Sequence, residues 1–507
     1  METFIKKVAG EIYKNNSETL SDCCIVFPTR RACGTFTEEL AKLLPKPTFS
    51  PAILTITDFI LDQNELTVPH NLSLIVNLYQ VYKKDFPELQ FSKFLPWGKF
   101  ILNDFDEIDR NLVDPHSLFR NLEDLKKMDH LLEYTDEQKL ALDSFLHLFE
   151  KNERSELHEN FLGIWEKLSE LYDHYNKALE QKGFAYEGSC YKSFYEKLVS
   201  GKIKFDHSKI YFAGFYALSE SEQLIFQFLT KEGIAECFWD TDQYYDGSTD
   251  QEAGKYLKKN KLLDSEYKWN SNYYRDGVKN ITFTGVSERS GQAAFVSDLF
   301  IEGQSASKWN KDNTVLVLGD ETLLLPILNH FPENVKKLNI SMGYPIKASK
   351  FNEWLNILIN VKRRAPREFI PSAILQQFLN HSFNVSLCAD NDLRKELFER
   401  SRNDIDLPLS ESAIIFDADL SKLLLSITSS AHDTFNFVVG MCTIVSKSIE
   451  EENEKIIIQT LIENLVELKG SIEAELHLLD SEDGWNLIKE VRNSISVPFD
   501  SGDGSGL

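Results

Sequence analysis

Apolar positions along the chain follow two periods in turn. Cys23 to Phe27 is an unbroken apolar run that stops at Pro28, and beyond a polar turn Ala32, Phe36 and Leu40 recur at every fourth position. A short run bounded by a turn predicts a buried strand, and the fourfold recurrence predicts a helix on its C-terminal side. The alternation returns at Ala52–Ile60, a short strand followed by a helix capped by Thr57 or Asp58. It returns again at Lys209–Leu229, where an apolar strand and a turn lead to Ser219 with Glu222 three residues on, a capping box ahead of an amphipathic helix. Ile234–Trp239 predicts one more strand. Repeated β-α units imply a parallel sheet. Residues 1–20 predict an amphipathic helix whose Phe4, Val8 and Ile12 share one face and would cover the first strand.

Residues 71–182 break the alternation. Glycine is scarce there, and Leu74, Leu78, Val81 and Tyr82, then Phe100, Phe105 and Ile108, keep helical spacing, so several helices and no strand are expected. Within this stretch Asp104, Asp106, Glu107 and Asp109 invite a metal-site reading. On a helix, however, they wrap around the axis rather than converge, and a solvated or interdomain face is expected instead. Ile281–Gly285 and Gln292–Ile301 predict a further strand and helix; Thr314–Asp320 then predicts the clearest strand of the chain, with a helix at Glu321–Phe331 and a strand at Leu338–Met342, as at the start of a second α/β domain. The chain then reads as helical to about residue 490, with Lys362, Arg363, Arg364 and Arg367 as a basic group between two helices. The last residues, Ser496–Leu507, end without a closing element, as expected of a fragment.

Strand, turn and helix near an N-terminus is where a nucleotide-binding α/β domain keeps its phosphate loop, because helix N-terminal amides hold an anion there. A working loop needs G-x-x-x-x-G-K-[ST]. This turn offers Thr29, Arg30, Arg31, Gly34 and Thr35: one late glycine, no lysine and an arginine pair. The strand end that would carry an acid for Mg²⁺ reads Ala213-Gly214. Arg30 and Arg31 could hold a phosphate of DNA or of a nucleotide, against a solvated first turn. Asp240 and Asp242, at a strand end, could serve a ligand, against a capped loop. Phe238, Trp239, Tyr244 and Tyr245 could stack bases, against a place in the core. Lys362, Arg363, Arg364 and Arg367 could contact DNA or a partner, against a solvated turn.

Composition narrows the classes. At 507 residues the chain can hold roughly three domains. Its seven cysteines form no C-x-x-C pair, which fits reduced thiols and a cytoplasmic location and suggests neither zinc nor a disulfide framework. No signal peptide and no apolar run of spanning length is present, so no membrane partner is expected. The net charge of −24 repels nucleic acid on average, so DNA contact would come from a local basic surface or a partner subunit.

Five ordered runs carry a resemblance: VFPTRRA at Val26–Ala32, FAGFYALSESE at Phe212–Glu222, FWDTDQYY at Phe238–Tyr245, VLVLGDETLLLPILNHFP at Val315–Pro332 and NISMGYPIKAS at Asn339–Ser349. Together they resemble the inactivated superfamily 1 helicase region of AddB-like PD-(D/E)XK helicase-nuclease proteins of the Bacteroidetes type. The resemblance implies an α/β fold with two RecA-like parallel-sheet domains, each interrupted by a mostly helical insertion. Its domains would be 1–70 with 183–305, an insertion at 71–182, a truncated second domain at 306–350 with about 495–507, and an insertion at 351–494. It further implies a catalytically inactive scaffold in double-strand break repair that binds or guides DNA, as a single-strand-tailed duplex, and docks a UvrD/AddA-like helicase subunit. The exonuclease domain, with the one divalent metal expected of the whole, would lie beyond this chain; no cofactor and no catalytic residue is assigned here. Two alternatives stand beside it. One is a residual ATP-binding or ATPase domain in which Arg30 or Arg31 replaces the lysine and Asp240 or Asp320 holds Mg²⁺; the other is a structural adaptor without DNA contact.

Overall fold

Cys23, Ile25 and Phe27 point to one side of the first strand and Cys24 and Val26 to the other, and all are buried. A strand covered on both faces has no polar side to present, which is why its sequence reads as a continuous apolar run. The structure is a computed structural model that describes residues 2–119, 167–246, 251–260, 269–305, 314–331, 340, 343–364, 369–403 and 405–497. The chain forms two compact units, one of residues 1–277 with 471–478 and one of residues 278–470 with 479–507.

The first unit is α/β. Strands β1 (Cys23–Phe27), β2 (Ala52–Thr55), β3 (Lys209–Ala213) and β4 (Ala235–Phe238) form a four-stranded sheet in the order β2-β1-β3-β4. Every neighbouring pair is parallel, with Phe27 beside Thr55, Val26 beside Phe212 and Ala213 beside Phe238. Helices α1 (Phe4–Asn16) and α2 (Arg30–Leu43) cover one face through Val8, Ile12, Phe36 and Leu40. On the other face Phe59 of α3 (Ile56–Leu61) joins Phe194, Ile225 and Phe226. The Phe212 ring of β3 stacks on Phe226 with centroids 3.8 Å apart. The expected capping box is present at Ser219 and Glu222. The cap of α3, however, is Thr55 rather than Thr57 or Asp58: the Asp58 amide donates to Thr55 Oγ1 at 3.1 Å, and that hydroxyl donates to Asp58 Oδ2 at 2.7 Å.

Between β2 and β3 the chain forms helices α4 (Asn71–Tyr82), α5 (Phe91–Arg110), α6 (Leu168–Gln181) and α7 (Glu187–Val199), with no strand among the described residues. The C-terminal end of α5 is a Schellman turn with Leu112 at φ 53° in the position that glycine usually takes. Its two bonds run from the Leu112 amide to the Asp109 carbonyl and from the Val113 amide to the Ile108 carbonyl. This turn sets Asn111 Oδ1 against the amide of Glu220, the first residue of α8 (Glu220–Lys231), at 3.4 Å.

The second unit is mainly helical, with Trp354, Leu358, Phe378, Phe435, Val438 and Ile488 in its interior. Its described sheet pairings are two short antiparallel ladders, Tyr344–Pro345 with Ser496–Val497 and Phe369–Ile370 with Leu407–Pro408, and two single antiparallel bridges, Cys388 with Phe416 and Ser430 with Asp480. The strands expected at Ile281–Gly285 and Thr314–Asp320 are not formed: among the described residues neither segment has a sheet partner. Phe283 is 94% exposed and Val315 84%. The apolar pattern is right for strands, but a strand forms only where a neighbouring strand takes its amides and carbonyls. The third expected strand, Leu338–Met342, lies almost wholly outside the described residues. No helix among the described residues is long and apolar enough to cross a membrane.

Candidate functional site

The strand order changes direction between β1 and β3: the chain runs outward from β1 to β2 and, after the helical layer, outward from β3 to β4 on the other side. At such a switch point the loops leaving neighbouring strands part, and a crevice opens beyond the carboxyl ends. Because Val26 lies beside Phe212, the next residues, Phe27 and Ala213, end the two strands at the same level. The two stretches singled out from sequence, Thr29–Thr35 after β1 and Ala213–Gly214 after β3, are thereby brought together at the crevice mouth.

The residues found there differ from those of a phosphate loop. Thr29 is the cap of α2, its hydroxyl accepting from the Ala32 amide at 3.3 Å, so an amide that could meet an anion already has a partner. Gly34 and Thr35 lie inside α2 rather than in the loop, and a Cβ on Gly34 would meet nothing within 4 Å. Its glycine character therefore serves no close backbone approach. Arg30 is exposed, with Nη2 3.8 Å from Asp58 Oδ1, and Arg31 is exposed as well. Gly214 has φ +76°, a left-handed turn that glycine adopts at little cost, and its amide donates to the Phe238 carbonyl at 3.1 Å. Burial, reinforced by the Asp58 charge, raises the Cys33 thiol above its ordinary value, so it is no activated nucleophile.

Asp58 was missed as a crevice residue in the sequence; its position one turn beyond β2 was the available signal. Its neighbour on α3, Thr57, touches a half-buried polar network. Thr57 Oγ1 lies 3.2 Å from the Tyr191 hydroxyl, and the Tyr191 ring lies under the Arg110 guanidinium at 4.3 Å. Arg110 donates to Asp106 at 3.2 Å and to Glu187 at 3.0 Å. Burial works against the Arg110 charge, but Asp106, Tyr191 and Glu187 together hold it above the ordinary arginine value. One residue earlier on α5, Asp109 is 1% exposed and accepts from Tyr172 at 2.6 Å, from Lys192 at 2.8 Å and from the Tyr186 hydroxyl. Burial and the bond to Asp109 push the Tyr172 phenol up to about 12. The acidic run is thus not a wholly solvated face: Asp104 and Glu107 are exposed, whereas Asp106 and Asp109 tie α5 to α6 and α7.

Other predicted positions scatter. Phe238 and Trp239 are buried in the two cores, while Tyr244 and Tyr245 pack edge to face with centroids 5.2 Å apart beyond β4. Asp240 is exposed in part; burial raises its carboxyl, Lys7 opposes that and Asp242 adds to it. The Asp242 carboxylate is occupied, accepting from the amides of Tyr244 and Tyr274 and from the Ser271 hydroxyl. In the second unit Asp320 accepts from Thr322 and pairs with Arg289 at 2.9 Å.

Of the basic group, Lys362 is not at a solvated turn. Lys362, Arg363 and Arg364 form the last turn of the helix Lys350–Arg364, and Arg367 lies outside the described residues. Lys362 is 3% exposed. Its ammonium donates to the Leu424 carbonyl at 2.8 Å and to that of Ser426, with the Phe437 ring 4.6 Å away. Burial lowers it to about 8 and withdraws it from any phosphate contact. Arg363 remains at the surface, paired with Glu482.

Among the described residues no group of three His, Cys, Asp or Glu side chains is placed to hold a metal ion. Compared with known proteins, the chain matches no family model and no curated sequence.

Proposed function

We propose that this chain is a helicase-like scaffold, inactive towards ATP, within a cytoplasmic machine that processes DNA double-strand breaks. It binds or guides DNA and docks a partner helicase, and the nuclease activity belongs to polypeptide outside the chain. In this reading the first unit belongs to the first RecA-like domain with its helical insertion, and segment 314–319 belongs to the sheet of a second. The observation that carries the proposal is the adjacency of the β1 and β3 ends at the switch point. The phosphate-loop and Mg²⁺-acid positions lie side by side there, yet they hold a capping threonine, exposed arginines, alanine and glycine. Such a place suits electrostatic contact with a phosphate backbone better than it suits Mg-nucleotide.

A second reading, residual nucleotide binding, is favoured by Arg30 and Asp58 standing 3.8 Å apart at the same crevice, a cation and a carboxylate where a nucleotide site would need both.

The deciding experiment is binding of a fluorescent single-strand-tailed duplex at about 50 and about 200 mM salt, because each neutralised phosphate steepens the salt dependence by a known increment. Affinity should fall steeply with salt, and Arg30→Glu combined with Arg31→Glu should weaken binding and flatten the slope. No binding at the lower salt would overturn the DNA-guiding role and leave the adaptor.

A further inference from the structure

Beyond the carboxyl ends of β3 and β4 the first unit carries a concentration of partly exposed tyrosines. Tyr216 and Tyr256 are 40% and 41% exposed and meet edge to face with centroids 5.5 Å apart. Tyr273 and Tyr274 are each 46% exposed, and the Tyr274 ring packs on Tyr244 at 4.6 Å and on Tyr245 at 5.1 Å. Two devices hold these rings. The first is the Asp242 carboxylate, which gathers the amides of Tyr244 and Tyr274 and so joins both tyrosine pairs. The second is the turn at 251–254. Gln251 donates to the Tyr244 hydroxyl, the Tyr216 hydroxyl donates to the Ala253 carbonyl, and Gly254 packs so close to the Tyr245 carbonyl that a Cβ would lie 2.0 Å from its oxygen. Both ring groups are therefore anchored to one turn and are neighbours in space.

Cations lie over the outer rings. Lys7 Nζ is 5.7 Å from the Tyr273 centroid and Lys255 Nζ is 5.8 Å from that of Tyr256. On a chain of net charge −24 this pairing of ammonium groups with exposed aromatic rings is a local exception. Carboxylates stand near them as well: that of Asp242 is taken by backbone donors, and that of Asp240 acts on Lys7. Exposed rings beside cations are the composition of surfaces that take single-stranded nucleic acid, where bases stack on the rings and the backbone tracks the charges. A duplex has no free base faces to offer.

We propose that Tyr216, Tyr256, Tyr273 and Tyr274, with Lys7 and Lys255, form a stacking shelf for the unpaired bases of a nucleic-acid strand. The proposal rests on the DNA-guiding reading and adds to it the strand type and the place of contact.

The test uses the full chain, a fluorescent oligothymidylate of about 20 nucleotides, long enough to span such a site, and a blunt duplex of equal length. Wild type should prefer the single strand. Tyr273→Ala with Tyr274→Ala, and Tyr216→Ala with Tyr256→Ala, should each weaken single-strand binding by roughly tenfold or more, with the salt slope unchanged. The corresponding Phe variants should bind as wild type does, because stacking needs the ring and not the hydroxyl. Lys7→Glu should weaken binding and reduce the slope by about one. Alanine pairs that bind as tightly as wild type would overturn the shelf while leaving DNA binding intact; a wild-type chain that binds neither oligonucleotide would overturn both. Should the alanine variants fold poorly, photocross-linking of wild type to bromodeoxyuridine-substituted oligothymidylate decides. Adducts on these tyrosines support the shelf, and adducts confined to other surfaces overturn it.

Discussion

Lys362 shows how one side chain can change meaning between sequence and structure. In a run of four cations over six positions it reads as part of a basic surface, because lysine is almost never fully buried unless paired. Here it closes the C-terminal end of the helix Ala418–Leu425 instead, through the Leu424 and Ser426 carbonyls, at the cost of desolvating an ammonium. The thermodynamic sign follows from proton counting. The folded value is about 8 and the ordinary one 10.5, so between them the unfolded chain binds the proton that the native chain has lost. Stability therefore rises with pH across that window, and below it the full desolvation penalty is present. Urea midpoints of wild type and Lys362→Met, measured at intervals from pH 7.5 to 10 as set by that window, should show a positive contribution to the slope in wild type that the variant lacks. The slope is the readout, since the variant also leaves two carbonyls without their donor. Equal slopes would show that the ammonium keeps its ordinary affinity for the proton.

At the level of elements, the helical layer is fastened to the sheet-covering helix α7 by charge as well as by apolar contact. Asp109 holds α5, α6 and α7 together through Tyr172, Tyr186 and Lys192, and removing one member of a buried, hydrogen-bonded ion pair leaves the others uncompensated. Asp109→Ala should destabilise the first unit by about 3 kcal/mol. Asp104→Ala, on the exposed side of the same helix, should stay within about 0.5 kcal/mol of wild type. Chemical unfolding followed by far-UV circular dichroism measures both, and similar losses in the two variants would remove the buried pair from its structural role. Asp104 and Asp109 look alike in the sequence; only the packing of Tyr172 and Tyr186, about 60 and 80 residues away, separates them. The strands and caps of the sheet were legible because their signals are local: apolar runs of four or five residues, a turn, and the Ser219–Glu222 pair. Segments 279–285 and 314–319 carry the same local signal, but a strand also needs a neighbour, and no periodicity reports whether one is there. The crevice was half legible. The sequence showed which residues follow β1 and β3, whereas the adjacency of Arg30 to Asp58, and the tyrosines gathered by Asp242, depend on strand order and on contacts distant in the chain.

For the whole molecule, the question is whether the crevice is an engine or a surface. A Mg-nucleotide brings concentrated negative charge and a hard cation, and an α/β site answers with backbone amides, a lysine and an acid at the neighbouring strand end. Here Thr29 caps its own helix, the β3 end is Ala213-Gly214, and the nearest opposite charges, Arg30 and Asp58, are exposed and partnered with each other. An exposed pair of that kind is weakly bound and screened, so Arg30 can be released to a phosphate with little loss, and a DNA backbone asks no more of it than that. Ligand linkage makes the distinction measurable. A nucleotide bound with Kd about 10 μM and supplied at about 1 mM would stabilise the fold by about 2.7 kcal/mol. The expected result is that Mg-ATP at that concentration leaves the thermal unfolding midpoint of the full chain unchanged, while a tailed duplex at low salt raises it. A rise with Mg-ATP that disappears in both Arg30→Ala and Asp58→Asn would turn the crevice back into a nucleotide sensor, with those two residues in place of the lysine and the acid.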